Sequence, residues 1–330
     1  MTQTENFKIL NKEIKPGKTK TVNLKIAKLH TMTDLKIPVI VSHSNQKGPV
    51  VLLSAGLHGD EFNGIEIVRQ IIQKEINIPE IGTIICIPLV NVFGFVNQSR
   101  EFPDGRDLNR VFPGSINGSL ASQFAYHLME HIVPLVDYVI DFHAGGRSRF
   151  NVPHVRIEEE NLELKTMADA FQAPFLLYSK NIEGSFRSAC DNLGVKYLLF
   201  EGGKSLEINK DVVLQAIYGT KRFLKHLGML NEKHTEKAAE RPMICIENST
   251  WLRADFSGLF QSVVAAGDYV EENQTVAWIT DPYGKVENPV LAPNSGYIIN
   301  ENQGAIVFQG DAIFNISTKL KLSDNEYMEE

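Results

Sequence analysis

Two histidines and two glutamates stand where apolar segments of this chain run out into glycine-rich turns. The first segment leads into Gly56-Leu57-His58-Gly59-Asp60-Glu61, the second ends at Asp141-Phe142-His143-Ala144-Gly145, and the third ends at Phe200-Glu201-Gly202-Gly203. His58 and Glu61 lie three apart in a turn entering a helix, a spacing that can bring an imidazole nitrogen and a carboxylate oxygen to one cation. His143 offers a second imidazole from another segment. Two histidines and a carboxylate with one coordination place left open form the donor set of many catalytic zinc sites. An isolated H-x-x-E pair is common by chance. A second histidine closing another strand, with glycines flanking both, makes it a candidate metal centre.

The neighbouring residues supply the remaining chemistry. Asp141 precedes His143 by two, so on a strand both face the same side. A carboxylate there holds a liganding imidazole in one tautomer. Glu201 follows the apolar run YLLF, where a charge is costly unless it is paired or functional. It is the candidate general base for a metal-activated water and the later proton donor to a leaving amine. The loop from Arg100 to Gly114 carries Arg100, Arg106 and Arg110, shaped by two prolines and two glycines. Arginine holds carboxylates through a planar fork. The adjacent Asn109 and Arg110 are candidates for a substrate carboxylate, and a separate arginine near the metal can polarise a scissile carbonyl. Standing alone, such a loop is as well explained by solvated surface charge.

These side chains need a scaffold of buried strands. Residues 19–43 read as an alternating strand pair that turns near Thr33 and Asp34. PVVLLSAG, TIICIPLV, DYVIDFH, PFLLYS and KYLLFEGG are short apolar runs, the pattern of strands buried on both faces. The helix expected over 64–76 places Ile65, Val68, Ile71 and Ile72 on one side, and further helices are expected over 119–132 and 211–227. Alternating strands and helices indicate an α/β domain over 1–230 with a mixed sheet, and ligands in such sheets bind outside the carboxyl ends of the strands. A polar linker follows at 231–242. Residues 243–320, broken by DFSG, AAGD, DPYG, APNSG and FQGD, read as a small all-β domain, and 321–330 as an acidic tail. His30, His43, His127, His131, His154, His226 and His234 read as ordinary polar residues.

Bulk properties narrow the class. A formal net charge of -7 argues weakly against a nucleic-acid surface, which wants clustered Lys and Arg. No apolar run reaches the roughly 18 residues of a membrane span, and the first twenty residues lack the apolar core of a signal peptide. Three dispersed cysteines, Cys86, Cys190 and Cys245, form no pairing framework and fit a reducing compartment. The expected location is cytoplasmic, the expected partner a small molecule, and a homo-oligomer is left open.

The ordered set GLHGDE, RDLNRVFPG, DFHAG and FEGG, spanning 56–203, resembles the succinylglutamate desuccinylase/aspartoacylase family of the zinc metallocarboxypeptidase clan. Each piece alone is weak and the combination is specific. The resemblance implies a carboxypeptidase-like three-layer α/β/α fold and one zinc ion per chain on His58, Glu61 and His143. It further implies Glu201 as base and acid, Arg100 at the scissile carbonyl, and Asn109 and Arg110 at the α-carboxylate of a small N-acyl amino acid. The C-terminal β-domain would narrow access to the site, with Tyr283 and Tyr297 as candidates to reach it. The chain departs from aspartoacylases at the arginine that binds an acidic substrate side chain. Asp191 or Asn192 falls there, with Arg187 a turn earlier, which opens the way to an uncharged or cationic side chain and a lean toward the branch that includes N-acetyl-diaminobutyrate deacetylases.

Three other readings compete. Residues 258–316 also resemble biotinyl/lipoyl-type barrels, but the turn holding Lys285 lacks the Met-Lys-Met or Asp-Lys-Ala of a carrier. A carboxypeptidase acting on peptides would use the same Asn and Arg residues. A metal-free binding protein would be indifferent to loss of Glu201.

Overall fold

The computed structural model describes residues 4–28, 30–159 and 161–321. The chain opens with a small hairpin, β1 (Phe7–Ile9) and β2 (Lys12–Ile14), then the antiparallel pair β3 (Lys18–Lys28) and β4 (Asp34–His43). The next elements are β5 (Val50–Ala55), α1 (Phe62–Gln73), β6 (Thr83–Ile87), α2 (Val92–Asn97), α3 (Leu120–His131), β7 (Tyr138–Gly145), β8 (Arg149–Ile157), α4 (Leu162–Phe171), β9 (Phe175–Tyr178), α5 (Phe186–Asp191), β10 (Lys196–Lys204) and α6 (Lys210–His226). The described remainder is all strand: β11 (Ile244–Arg253), β12 (Gly258–Ser262), β13 (Tyr269–Val270), β14 (Thr275–Thr280), β15 (Glu287–Leu291), β16 (Gly296–Asn302), β17 (Ile306–Val307) and β18 (Ala312–Leu320). Past Lys321 the expected acidic tail lies outside the described residues.

The result is a mixed α/β fold. Twelve strands run in the order β13-β16-β18-β11-β9-β8-β10-β7-β5-β6-β4-β3. The centre is parallel, β6 with β5, β5 with β7 and β7 with β10, while β4 joins β6 and β8 joins β10 antiparallel. Alternate residues of the central strands feed two separate cores, because successive side chains of a strand point to opposite faces. Leu52, Ile85 and Val139 pack with Phe124 and Leu128 of α3 and Phe186 of α5. Val51, Leu53, Ile84, Ile140 and Phe200 pack with Ile67, Val68 and Ile71 of α1, together with α4 and α6. The uninterrupted apolar runs in the sequence are the consequence of helices covering both faces.

α1 sits slightly rotated from the face expected of it. Val68 and Ile71 are buried as expected, but Asn63, Gly64 and Ile67 complete the buried side, and Ile65 and Ile72 lie at its margins. Gly64 explains the rotation. A Cβ on it would stand 2.3 Å from the Phe142 carbonyl oxygen, so the bare backbone is what lets the helix settle on β7.

The C-terminal strands hydrogen-bond directly to the rest. β11 pairs parallel with β9, and β16 pairs with β8 as well as β18. The strands β8, β9, β11, β18 and β16 thus close into a five-stranded ring around Val152, Phe175, Leu177, Ile246 and Ile299. A second sheet, β15-β14-β12-β17, covers a core that includes Phe260, Val276, Ile279 and Phe314. The ring matters for function because it sets Asn300 opposite Asn151, at the edge of the strand-end cleft.

Candidate active site

The carboxyl ends of β5, β7 and β10 bring His58, Glu61, His143 and Glu201 to one cavity of about 390 Å³. The His58 turn folds tightly because Gly59 lies against α2, where a Cβ would come within 1.9 Å of the Gly94 carbonyl carbon. His58 and Glu61 are each 2% exposed and His143 is 3% exposed. Charged-type side chains this deep persist only when paired or bound to a cation.

One ligand atom from each of these three residues lies within 4.8 Å of the others. His58 Nδ1 is 2.7 Å from Glu61 Oε1, and His143 Nδ1 is 2.9 Å from Glu61 Oε2. The far nitrogens face carboxylates as well: His58 Nε2 lies 3.1 Å from Asp107 and His143 Nε2 lies 2.8 Å from Asp141. A carboxylate only accepts, so each Nε2 carries a hydrogen. A neutral ring would then aim a bare Nδ1 lone pair at a Glu61 oxygen, which needs a proton or a cation between. Burial alone would depress both imidazoles, but Asp141 and Glu61 outweigh it and hold His143 well above its ordinary value, and Glu61 and Asp107 raise His58. Burial likewise opposes ionisation of Glu61, and the two imidazoles overcome it. His58, Glu61 and His143 can therefore hold a metal ion, with both imidazoles pre-set by carboxylates behind them.

Asp141 is 1% exposed and is locked in place. Ser54 Oγ donates to it at 2.7 Å and the Tyr197 hydroxyl donates to its other oxygen. Asp107 plays the matching part for His58 and was not singled out from the sequence. Its carboxylate accepts from Arg100 Nε and Nη2 at 3.1 and 2.9 Å and caps the following turn by accepting from the Asn109 amide at 2.8 Å. The N-cap position before Leu108-Asn109-Arg110 is the one signal that could have marked it.

Arg100 Nη1 stands 3.3 Å from Glu61 and 3.2 Å from His58 Nδ1, beside the donor cluster. Asn109 and Arg110 line the same cavity. Asn109 Oδ1 accepts from the Phe186 amide at 2.8 Å, and among the described residues its amide nitrogen makes no hydrogen bond. Glu201 stands beside His143 in the β10–β7 register and lines the same cavity, and burial pushes its carboxyl up, opposed by the positive charge of Arg156 and His143. Asn151 Nδ2 donates to Glu201 at 2.9 Å, and Asn300 Nδ2 donates to Asn151 at 2.6 Å.

The C-terminal strands thus reach the site through Asn300 and Trp251, both of which line the cavity. Tyr283 is 80% exposed, and Tyr297 packs on Phe175 and Tyr269 instead. It is Arg187, buried and in contact with the Ser179 and Lys180 carbonyls, that lines the cavity rather than Asp191 or Asn192. The six-residue α5 carries Arg187 inward and turns Asp191 toward Asn181. A larger groove of about 1030 Å³ lies against the β1–β2 hairpin and β3, but among the described residues its His and Glu side chains do not converge as those of the strand-end cavity do.

His154, read from the sequence as an ordinary polar residue, is fully buried on β8. Burial, reinforced by the charge of Arg156, pushes it down to about 3. Between the ordinary imidazole value of about 6.5 and that value, the unfolded chain binds a proton that the folded chain refuses, so folding stability falls as pH drops through this window. His154→Leu should therefore lose less melting temperature than the parent between pH 7 and pH 4, measured by thermal unfolding at each pH.

Fold and site together define a mixed α/β protein whose strand-end cavity contains a His58, Glu61 and His143 cluster that could hold a metal ion. Residues 47–227 match the family model of the succinylglutamate desuccinylase/aspartoacylase catalytic domain, and the chain belongs to that family. It is similar to the N-alpha-acetyl-L-2,4-diaminobutyric acid deacetylase of Halomonas elongata, 29% identical over 290 residues that cover 84% of each chain. In fold it resembles the product-bound ectoine utilization protein EutE (DoeB) of Ruegeria pomeroyi, with TM-score 0.80 and 23% identity over 91% of this chain and 95% of the other. It also resembles a succinylglutamate desuccinylase/aspartoacylase of Rhodobacter sphaeroides, with TM-score 0.79 and 24% identity over 91% and 96% of the two chains.

Proposed function

We propose that this protein is a zinc-dependent amidohydrolase that removes the acyl group from a small N-acyl amino acid. The observation that carries the reading is the convergence of His58, Glu61 and His143, each imidazole backed by its own carboxylate, with Glu201 beside His143 in the same cavity. Family membership adds a chemistry of acyl–amino-acid amides. In the same reading the helix–sheet–helix layers follow the metallocarboxypeptidase scheme, and 243–320 is a β-domain that narrows the entrance.

A zinc ion on His58, Glu61 and His143 would supply Lewis acidity toward the amide carbonyl and make a water acidic near neutral pH. The protein's own groups do the rest. Asn109 and Arg110 hold the amino-acid carboxylate. Glu201 takes the proton from the attacking water and returns it to the leaving amine, and Asn151 keeps its carboxylate pointed into the cavity. Arg100, steadied by Asp107, donates to the oxygen on which negative charge develops. Asp141 and Asp107 keep both imidazoles in the liganding tautomer.

Arg100→Ala should lower kcat by about 10²–10³, the usual effect of removing one oxyanion donor, with zinc content unchanged. Steady-state kinetics and metal analysis on the same preparation would check both halves. The reading itself is tested by offering zinc-loaded protein a panel of N-acetyl and N-succinyl amino acids alongside dipeptides. Release of free amino acid from the first set alone is the expected result, and cleavage confined to dipeptides would overturn it.

A further inference from the structure

We propose that Asn300 is a positioning residue for the hydrolysis: through Asn151 it decides which oxygen of Glu201 takes the proton. The proposal rests on the deacylase reading above and gives the C-terminal strands a part in the chemistry besides walling the cavity.

Strand pairing brings three side chains together from distant segments. β16 runs antiparallel to β8 with Asn300 opposite Asn151. β8 runs antiparallel to β10 with Asn151 opposite Gly203, which presents no side chain, and Glu201 stands two residues before that glycine. Diagonal neighbours on paired strands lie within reach of each other. Val152 and Ile299, next in sequence, fill the core of the five-stranded ring. Alternation sends Asn151 and Asn300 to the other face, where both line the cavity with Glu201.

Donor and acceptor chemistry fixes the direction of the chain. An ionised carboxylate only accepts, so the Asn151 atom 2.9 Å from Glu201 Oε2 is its amide nitrogen. The Asn151 oxygen then faces Asn300, and the Asn300 atom 2.6 Å from it is again the nitrogen. Asn300 Oδ1 comes last, buried and, among the described residues, without a hydrogen-bond partner. A buried acceptor with no donor is costly. It persists because the alternative is worse: turning the Asn300 amide over would set oxygen against oxygen at Asn151, and turning Asn151 with it would set oxygen against the carboxylate. The orphaned oxygen is the end of a one-way chain that starts at the base.

The consequence falls on Glu201. Its Oε2 is taken by the Asn151 donor, and among the described residues no other hydrogen bond reaches the carboxylate. Oε1 is the oxygen left bare. It takes the proton from the attacking water and returns it to the leaving amine, while Oε2 keeps its donor through both transfers. Without Asn300 the Asn151 amide is free to turn. Its oxygen can then face Oε2, and the carboxylate loses the bond that tells its two oxygens apart and holds its plane.

The test measures kcat and KM of zinc-loaded full-length protein at pH 8, on the best substrate among N-acetyl and N-succinyl amino acids. Asn300→Leu removes the donor at similar volume, and Asn300→Asp keeps the shape but, ionised, offers only acceptors. Asn300→Leu should lower kcat by about 3- to 10-fold, the worth of one neutral hydrogen bond. Asn300→Asp should lower it by about 10- to 100-fold, because the new carboxylate draws the Asn151 nitrogen to itself and turns an oxygen toward Glu201. KM should hold in both. On a Glu201→Gln background, with no base left to aim, Asn300→Leu should change the residual turnover by less than about twofold. Melting temperature shows whether each variant is folded, and if Asn300→Asp is not, the two Asn300→Leu comparisons decide alone. A smaller loss in Asn300→Asp than in Asn300→Leu would mean that shape matters and donation does not, and would overturn the proposal. So would a raised KM with parental kcat, which would make Asn300 a substrate contact, or an equal loss on both backgrounds. If the parent hydrolyses none of these compounds, the deacylase reading fails and the chain of amides is judged separately, by crystal structures of the parent and Asn300→Leu. Loss of the Asn151–Glu201 hydrogen bond in the variant supports it, and a bond unchanged at 2.9 Å overturns it.

Discussion

Replacement of Glu201 by Gln should lower kcat by about 10²–10⁴, the usual worth of a positioned general acid–base, while zinc stays bound. The change keeps the volume of the side chain and its acceptor for Asn151 Nδ2, which lies 2.9 Å from the carboxylate, but removes the atom that can take a proton. Binding should change little, because the proposed carboxylate contacts lie at Asn109 and Arg110. Pre-steady-state and steady-state kinetics on N-acyl amino acids, with metal content measured in parallel, separate this from loss of the metal. A Glu201→Gln protein with parental turnover would remove Glu201 from the chemistry and leave its place in the cavity without a functional account.

Replacement of His143 by Ala should cost both the metal and the activity. His143 supplies one of three ligand atoms and is the only one of them on β7. Its loss also strips Asp141 of the partner that helps keep a fully buried carboxylate ionised, leaving Ser54 and Tyr197 as its donors. Zinc should fall from one equivalent to a small fraction after dialysis, and turnover should fall below detection. Asp141→Asn offers the graded comparison: with the ligand intact and only its support altered, metal affinity should drop by about 10- to 100-fold. Equal zinc retention in His143→Ala and the parent would contradict the ligand assignment.

Much of this centre was legible because its residues interrupt strong local patterns. His143 and Glu201 close runs that are otherwise apolar, and His58 and Glu61 sit three apart among glycines, so each announced itself within a few residues of chain. The strand pair, the central parallel strands and the helices at 120–131 and 210–226 were legible for the same reason, since period-2 and period-3.6 patterns are local. What was not legible depends on register between distant segments. Asp107 matters because its loop folds back onto His58, 49 residues away in sequence. Asn151 and Asn300 are unremarkable polar residues until β16 pairs with β8 and makes them neighbours across 149 residues.

Arg187 and His154 show a different limit. The resemblance to aspartoacylases puts Asp191 or Asn192 at the position of their substrate-binding arginine, but the short helix α5 and the turn after it take up chain without advancing along the cavity wall, and it is Arg187 that lines the cavity. His154 lies on a strand whose pairing slips: Asn151 opposes Gly203 and His154 opposes Glu201, so three steps on β8 match two on β10. Such a bulge reverses which alternate residues face the cavity, and no strict alternation in RFNVPHVRI reveals it. The two short helices α2 and α5, six residues each, have too little periodic pattern to stand out from loop.

The most direct measurement is metal analysis joined to X-ray absorption spectroscopy on the zinc-loaded protein. One zinc per chain, with two imidazole nitrogens and carboxylate oxygen in its coordination shell and one imidazole missing from the His143→Ala spectrum, is the expected result. A stoichiometric zinc whose coordination is unchanged by loss of His58 or His143, or a catalytically active chain that holds no zinc at all, would contradict it.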